Sequence, residues 1–371
     1  MNIFINCSNL KKGGGLQVAD SICRDLRRFG QHRFVVVLSK YLIQTANAIQ
    51  DYPNVKVLNY DSNNGWKVLL TGRDEYLDTI VDNYNIDVVL SIFGPISWMP
   101  KCPHLCGFAR SHLVLNDSPY FKRMALKPKM RSFFFNRVLA YFFKRGVDAF
   151  YTENKYISDK WQMAAKKQKV YTVTNYYNQV YDQPELWKEK QLPHFRGITL
   201  LCVTANYDHK NLEIAIDTAK NLLRADPSFN FRFVFTIDEN QYPELPEKLK
   251  PHFVFTGRVD ICECPSLYQQ ADIMFQPTLL ECFTATYPEA MRMEVPIVTT
   301  DLEFAHGLCG DAAVYYSPLD AQEAANAIYK VATDNRLKEQ LILKGKNQLK
   351  TFDTYSQRTE KLISIVEQLI K

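Results

Sequence analysis

Short runs of apolar, β-branched and aromatic residues alternate along this chain with longer stretches in which apolar positions recur every three or four residues. The first pattern fits strands buried on both faces, and the second fits amphipathic helices packed over them. In the first half the spacing predicts strands over 2–6, 34–38, 55–58, 88–92, 104–108, 149–151 and 170–173. Helices are predicted over 16–29, 74–84, 130–145 and 155–165. The periodicity lapses between 178 and 196, where Pro184, Pro193 and mixed charges read as a linker or hinge. It then restarts, with strands over 198–203, 231–235, 253–255, 273–276, 297–299 and 313–315. Helices over 211–223, 264–270, 284–293, 321–332, 336–348 and 355–370 complete the pattern. The expected architecture is α/β, two successive doubly wound halves. In such sheets ligands sit beyond the carboxyl ends of the strands, so the loops that follow strands are where chemistry is sought.

Composition narrows the class. A length of 371 residues suits two domains, and 46% hydrophobic with 23% charged residues is ordinary for a globular chain, which excludes a disordered or fibrous one. Nine scattered cysteines suit a reduced compartment better than a disulfide framework. Their spacing lacks the partners of a zinc site, so no metal is expected. No apolar run reaches the roughly 18–20 residues of a spanning helix, and the amino terminus reads as a first strand, so a cytoplasmic location is expected. The net charge of +5 is unevenly divided: residues 1–180 carry 25 basic against 13 acidic side chains, the remainder 20 against 27.

Three loops could carry chemistry. Lys11-Lys12-Gly13-Gly14-Gly15 follows the first strand and opens a helix, so backbone and ligand could approach closely there. A flexible turn is the plainer alternative. Ala205-Asn206-Tyr207-Asp208-His209-Lys210-Asn211 follows the first strand of the second half and could offer Lys210 to a phosphate. The densest runs from Gln276 to Met291 and contains Glu281 near a turn and Glu289 in the helix. Thr284 and Thr286 are candidate caps there. Eight helical positions rise about 12 Å, so the two carboxylates suit separate groups of one elongated ligand better than a hydrolytic pair.

Glu281 and Glu289 at this spacing, followed by Val295-Pro296-Ile297-Val298 and Gly310-Asp311-Ala312-Ala313, resemble glycosyltransferase family 4, the retaining group 1 enzymes. Lys210-Asn211, Phe255-Thr256-Gly257-Arg258-Val259, Leu267-Tyr268 with Ala271-Asp272, and Val173-Thr174-Asn175 extend the resemblance along the chain. It implies the GT-B fold: two Rossmann-like domains facing a cleft, over 1–177 and 178–354, with a last helix over 355–371 crossing back to the first. It implies a UDP- or GDP-sugar donor held by the second domain. Glu289 would take the ribose hydroxyls. Glu281 with Cys282, Phe283 and Thr284 would contact the sugar, and Lys210 beside Asn206 would meet the diphosphate. Arg258 to Ile261 would border the base. Gly14 and Gly15 would approach from the first domain, which would also supply His112 near the reacting sugar. The chain departs from the family at Ala205, where an Arg is common, at Cys282 and Thr284 for glycines, and at Glu294 for a glycine before Val295. Arg258, Lys11 or Lys12 could replace the missing charge. There is no Asp-x-Asp sequence to hold a metal.

Between Phe121 and Gly146 stand Lys122, Arg123, Lys127, Lys129, Arg131, Arg137, Lys144 and Arg145 with no acidic residue, interleaved with six aromatics from Phe133 to Phe143. That composition suits an anionic membrane surface, giving peripheral association with the inner face of the plasma membrane. A core-facing helix with a solvated basic face and a cleft wall for a phosphorylated acceptor are the other readings. Nucleic acid is disfavoured. The sequence therefore points to transfer of a hexosyl-type residue to a glycan or lipid-linked acceptor in surface polysaccharide synthesis. A sugar-nucleotide epimerase and a catalytically weak sugar-nucleotide-binding module stay open.

Overall fold

A computed structural model describes residues 1–11, 13–60 and 65–371, with Gly65 and Trp66 as backbone only; Lys12 lies outside the described residues. The chain forms two compact units. One comprises Met1–Asn116, Met124–Asn175 and Asp353–Lys371, and the other Asp117–Arg123 and Tyr176–Phe352.

The first unit is built on seven strands: β1 (Asn2–Cys7), β2 (Arg33–Ser39), β3 (Val55–Tyr60), β4 (Val88–Ser91), β5 (His104–Gly107), β6 (Ala149–Thr152) and β7 (Lys169–Thr172). They pair in parallel in the order β3-β2-β1-β4-β5-β6-β7. The central strands β4 and β5 are buried throughout, as in parallel sheets covered on both faces, where strands read as short apolar runs. Gly107 has no alternative at its place in β5, since a Cβ there would lie 2.0 Å from the carbonyl oxygen of Ile92. The last helix, Tyr355–Ile370, opens with a capping box between Thr354 and Gln357 and buries Leu362, Ile363 and Val366 in this unit's core. Its buried Arg358 donates to Asn175 and Ser21, while Thr174 and Asp353 exchange hydrogen bonds.

The second unit holds β8 (Ile198–Cys202), β9 (Phe231–Phe235), β10 (Phe253–Phe255), β11 (Ile273–Gln276), β12 (Ile297–Thr300) and β13 (Ala313–Tyr316). All pair in parallel, in the order β10-β9-β8-β11-β12-β13. This is the doubly wound order, in which the chain reverses direction across the sheet between its first and fourth strands. The loops leaving β8 and β11 emerge side by side at that switch point on the carboxyl edge, where sheets of this order take their ligands. An aromatic layer of Phe231, Phe233, Phe235, Phe253 and Phe275 fills the core beneath it. The segment around 184–196 has no regular strand or long helix and packs onto this unit. The Lys188 amide reaches the Cys262 carbonyl at 2.9 Å, and the Lys190 amide reaches the Ser266 hydroxyl at 2.8 Å.

Among the described residues the thirteen strands lie where the alternation placed them, and several helix boundaries move. The helix expected over 130–145 is Leu126–Lys144, because Pro128 falls in its first turn, where proline is tolerated. The helix expected from 211 starts at Ile214, because Asn211 takes a left-handed conformation (φ 54°) that ends the short turn Asp208–Lys210. The helix expected from 284 is Thr286–Arg292 with Ala285 before it, and neither threonine caps it. Instead the Thr284 and Thr286 hydroxyls bond each other at 2.9 Å, and Thr286 accepts from the Gln276 amide at 3.2 Å.

Candidate active site

The switch point between β8 and β11 gathers residues from both loops. After β8 the chain turns through Asp208–Lys210, and after β11 it runs through Pro277 to Glu281. The Leu279 amide bonds the His209 carbonyl at 2.8 Å, which ties the two loops together. The Lys210 ammonium thereby meets the Glu281 carboxylate at 2.5 Å, both side chains being only about an eighth exposed (13% and 12%). Thr278 donates to the same oxygen of Glu281 at 3.0 Å, and its carbonyl accepts from the buried Thr300 hydroxyl at 2.7 Å. A sequestered ion pair costs desolvation that its attraction hardly exceeds, so it is a weak device for stability. As a site it is apt, since an incoming anion can draw on the ammonium and a hydroxyl-bearing group can use the carboxylate. Burial also lowers the pKa of the neighbouring His209, so it stands neutral beside Lys210 at pH 7.

Glu289 lies one turn into Thr286–Arg292 and is 5% exposed. Its Oε2 accepts from the buried Tyr268 hydroxyl at 3.2 Å. Burial pushes this carboxyl up to about 7, against the opposing effect of the Tyr181 and Tyr268 hydroxyls. An interior carboxyl held near neutrality without a cationic partner is expensive, and such groups gather at functional sites. Glu281 and Glu289 have separate partners, as two groups serving different parts of one ligand would.

Around them, Cys282 and Thr284 are buried, and Phe283 stands edge-on to Phe352 at 6.2 Å. Asn206 is exposed and donates to the Gln241 carbonyl at 2.6 Å. Arg258 is exposed and Ile261 half-buried, just beyond Gly257 (φ 68°). Beside this turn a cavity of about 320 Å³ opens on the carboxyl edge of β9 and β10, between Asp238, Glu239, Lys250, Phe253, Phe255 and Gly257. Sequence reasoning did not find this cavity, nor the setting of Glu289 among tyrosines, although the Leu267-Tyr268 motif contains one of them.

Gly14, Gly15 and His112 lie in the first unit. Gly13 has φ 74°, which needs a glycine, and a Cβ on Gly14 would meet nothing within 4 Å, so this turn is open on the outside. His112 sits in the short turn Ser111–Leu113, and its carbonyl accepts from Asn136 of the helix Leu126–Lys144 at 3.0 Å. Glu294, standing for a glycine before Val295, takes φ 60° and pairs with Lys346 at 2.8 Å.

Two parallel Rossmann-like sheets in one chain are the fold of the GT-B glycosyltransferases. The family model described as glycosyl transferases group 1 matches residues 197–334, the stretch that holds Lys210, Glu281 and Glu289. By sequence this segment is similar to the group 1 glycosyl transferases. The whole chain is similar in fold to a glycosyltransferase from Rickettsia africae ESF-5 (TM-score 0.72, 14% identity, 100% of this chain and 98% of that one). It is also similar to Anabaena HepE, solved with UDP-glucose (0.69, 14%, 99% of both chains), and to WaaG, a glycosyltransferase involved in lipopolysaccharide biosynthesis (0.68, 16%, 99% of both chains). No curated protein matches the sequence.

Proposed function

We propose that the protein is a retaining, metal-independent glycosyltransferase of family 4. It moves a hexosyl-type residue from a UDP- or GDP-sugar to a glycan or lipid-linked acceptor in surface polysaccharide synthesis. The observation that carries this reading is the cluster of Lys210, Glu281 and Thr278 at the switch point, with buried Glu289 eight positions further along, inside the matched segment. HepE, a structural relative, is known with UDP-glucose, and WaaG acts in lipopolysaccharide synthesis.

In this reading Glu289 accepts the ribose hydroxyls, the 320 Å³ cavity and the Arg258–Ile261 turn border the base, and Lys210 meets the diphosphate. Breaking the bond between the anomeric carbon and the phosphate oxygen leaves negative charge on the diphosphate, and a preorganised ammonium stabilises it as it forms. The electron pair of that bond departs with the phosphate. The acceptor hydroxyl forms the new bond on the same face of the sugar and gives its proton to the leaving phosphate oxygen. Glu281 orients the sugar hydroxyls. The assay is incubation with a panel of UDP- and GDP-sugars and candidate acceptors. Acceptor-dependent release of nucleoside diphosphate supports transfer. Interconversion of the sugar without release would mark an epimerase, and binding without turnover a recognition module.

The acceptor side of this reading is an anionic lipid surface met by Leu126–Lys144. Leu126, Met130, Phe133, Phe134, Phe135, Val138 and Tyr141 are all more than half exposed on this helix, among basic side chains. Ser132, Asn136 and Phe143 share the opposite face, which turns to the unit. Among the described residues no helix is long and apolar enough to cross a membrane.

A further inference from the structure

The segment Asp117–Arg123 belongs to the second unit, although the chain before it and the chain after it belong to the first. Three of its side chains hold it there. Ser118 is buried, and its hydroxyl donates to the Leu279 carbonyl at 2.6 Å. The Tyr120 ring stands edge-on to His209, with centroids 6.2 Å apart. The Arg123 guanidinium spreads between two acceptors, one Nη on the Asn211 side-chain oxygen and the other on Glu213. All these partners lie on the two loops that leave β8 and β11. Asn211 is 2% exposed and left-handed, and its amide reaches on to the Pro277 carbonyl at 3.4 Å. A continuous set of contacts thus runs from Arg123 through Asn211 to the loop that carries Glu281.

We propose that Arg123 is a positioning residue of the donor site. Its fork fixes the turn Asp208–Lys210 and the following Asn211 in the shape that presents Lys210 to the leaving diphosphate, with Ser118 as a second anchor on the opposite loop. The proposal rests on the donor-site reading of Lys210 and Glu281. Stability is a poor account of the contact, because Arg123 and Glu213 are about 40% exposed (39% and 41%) and such pairs contribute little. Geometry is a better one. A planar guanidinium with two acceptors sets orientation as an ammonium cannot. A left-handed non-glycine residue needs its surroundings to hold it. With alanine at 205, Lys210 carries more of the charge stabilisation, so its placement matters more. Arg123 is also thereby set apart from the exposed basic residues of the helix that follows.

The test uses the full chain with Arg123→Ala, Arg123→Lys and Ser118→Ala, reading kcat and KM for the donor, thermal unfolding, and amide hydrogen exchange over 208–213. Displacing a charge by about an ångström costs up to about a hundredfold in rate. Arg123→Ala should lower kcat about ten- to a hundredfold, with a smaller rise in KM and a melting temperature close to wild type. Exchange over 208–213 should rise. Low-millimolar guanidinium should restore part of the lost rate, and Arg123→Lys should recover little, since one ammonium does not span both acceptors. Ser118→Ala should move kcat the same way by less. A kcat for Arg123→Ala within twofold of wild type would overturn the proposal, as would unchanged exchange. So would a loss that tracks unfolding and does not answer to guanidinium. If wild type turns over no UDP- or GDP-sugar, the donor-site reading fails, and exchange over 208–213 still decides whether Arg123 orders the turn.

Discussion

Replacing Glu289 by glutamine should make the protein more stable and its donor site worse, an opposition that follows from burial. The carboxyl is 5% exposed and held at about 7 instead of its ordinary 4.5, with desolvation as the leading cause. At about 1.36 kcal/mol per pH unit, ionising it in the folded chain costs about 3 kcal/mol. The unfolded chain loses this proton near 4.5 and the folded chain near 7. The contribution of the group is therefore fully favourable below 4.5, declines as pH rises to 7, and is lost above it. Glutamine keeps the shape and an oxygen for the Tyr268 hydroxyl, and removes the charge. Urea unfolding should find Glu289→Gln close to wild type at pH 4.5 and more stable by up to about 3 kcal/mol at pH 8. Glu153 is also buried and raised to about 7, so it titrates in the same window; the difference between variant and wild type isolates Glu289. Calorimetric titration with UDP and GDP should show the reverse. Wild-type affinity should weaken about tenfold for each pH unit below 7, and the variant should bind at least tenfold more weakly at pH 8 with little pH dependence. A variant that is no more stable at pH 8, or that binds nucleotide as wild type does, would refute the reasoning.

Further outcomes are expected from other parts of the molecule. His104 is buried between Ser91 and the Gly146 carbonyl, and burial lowers it to about 4. Its stabilisation is present above its ordinary 6.5 and lost as pH falls through 4, about 3 kcal/mol in all. His104→Asn should flatten that part of the acid unfolding curve, and an unchanged curve would contradict the assignment. Glu294→Gly relieves a left-handed glutamate whose exposed pair with Lys346 is worth little, so thermal unfolding should show a gain of up to about 1 kcal/mol; a clear loss would mean the pair matters. Wild type should float with anionic liposomes and stay behind with neutral ones. The combined change of Phe133, Phe134 and Tyr141 to serine should abolish flotation, and retention of it would remove the helix Leu126–Lys144 from the lipid surface.

Strands were the legible part of this fold because each is a short apolar run between turn residues, and parallel pairing buries both faces. Three of the short helices were not. Ile43–Ile49, Gly65–Thr71 and Glu303–Cys309 are seven residues each, two turns at most, so no periodicity can build up in them. At the candidate site, Lys210, Glu281 and Glu289 stood out through their motifs, while their surroundings did not. The partners Lys210 and Glu281 are 71 positions apart, and Arg123 is 88 from Asn211. Local sequence carries no trace of either contact. Arg123 read as one more charge in a basic stretch, and only the packing of 117–123 onto the second unit separates it from that stretch. The threonines at 284 and 286 looked like caps, yet each had a nearer hydroxyl to bond.

The central claim is that the switch point between β8 and β11 holds the nucleoside diphosphate part of a sugar donor. A crystal structure of the complex with UDP or GDP tests it directly. The account predicts the diphosphate within hydrogen-bonding reach of the Lys210 ammonium, drawing it from Glu281, with the ribose hydroxyls on Glu289 and the base beside Gly257 to Ile261. A nucleotide bound elsewhere, or bound here with its ribose away from Glu289 and its phosphates away from Lys210, would contradict it.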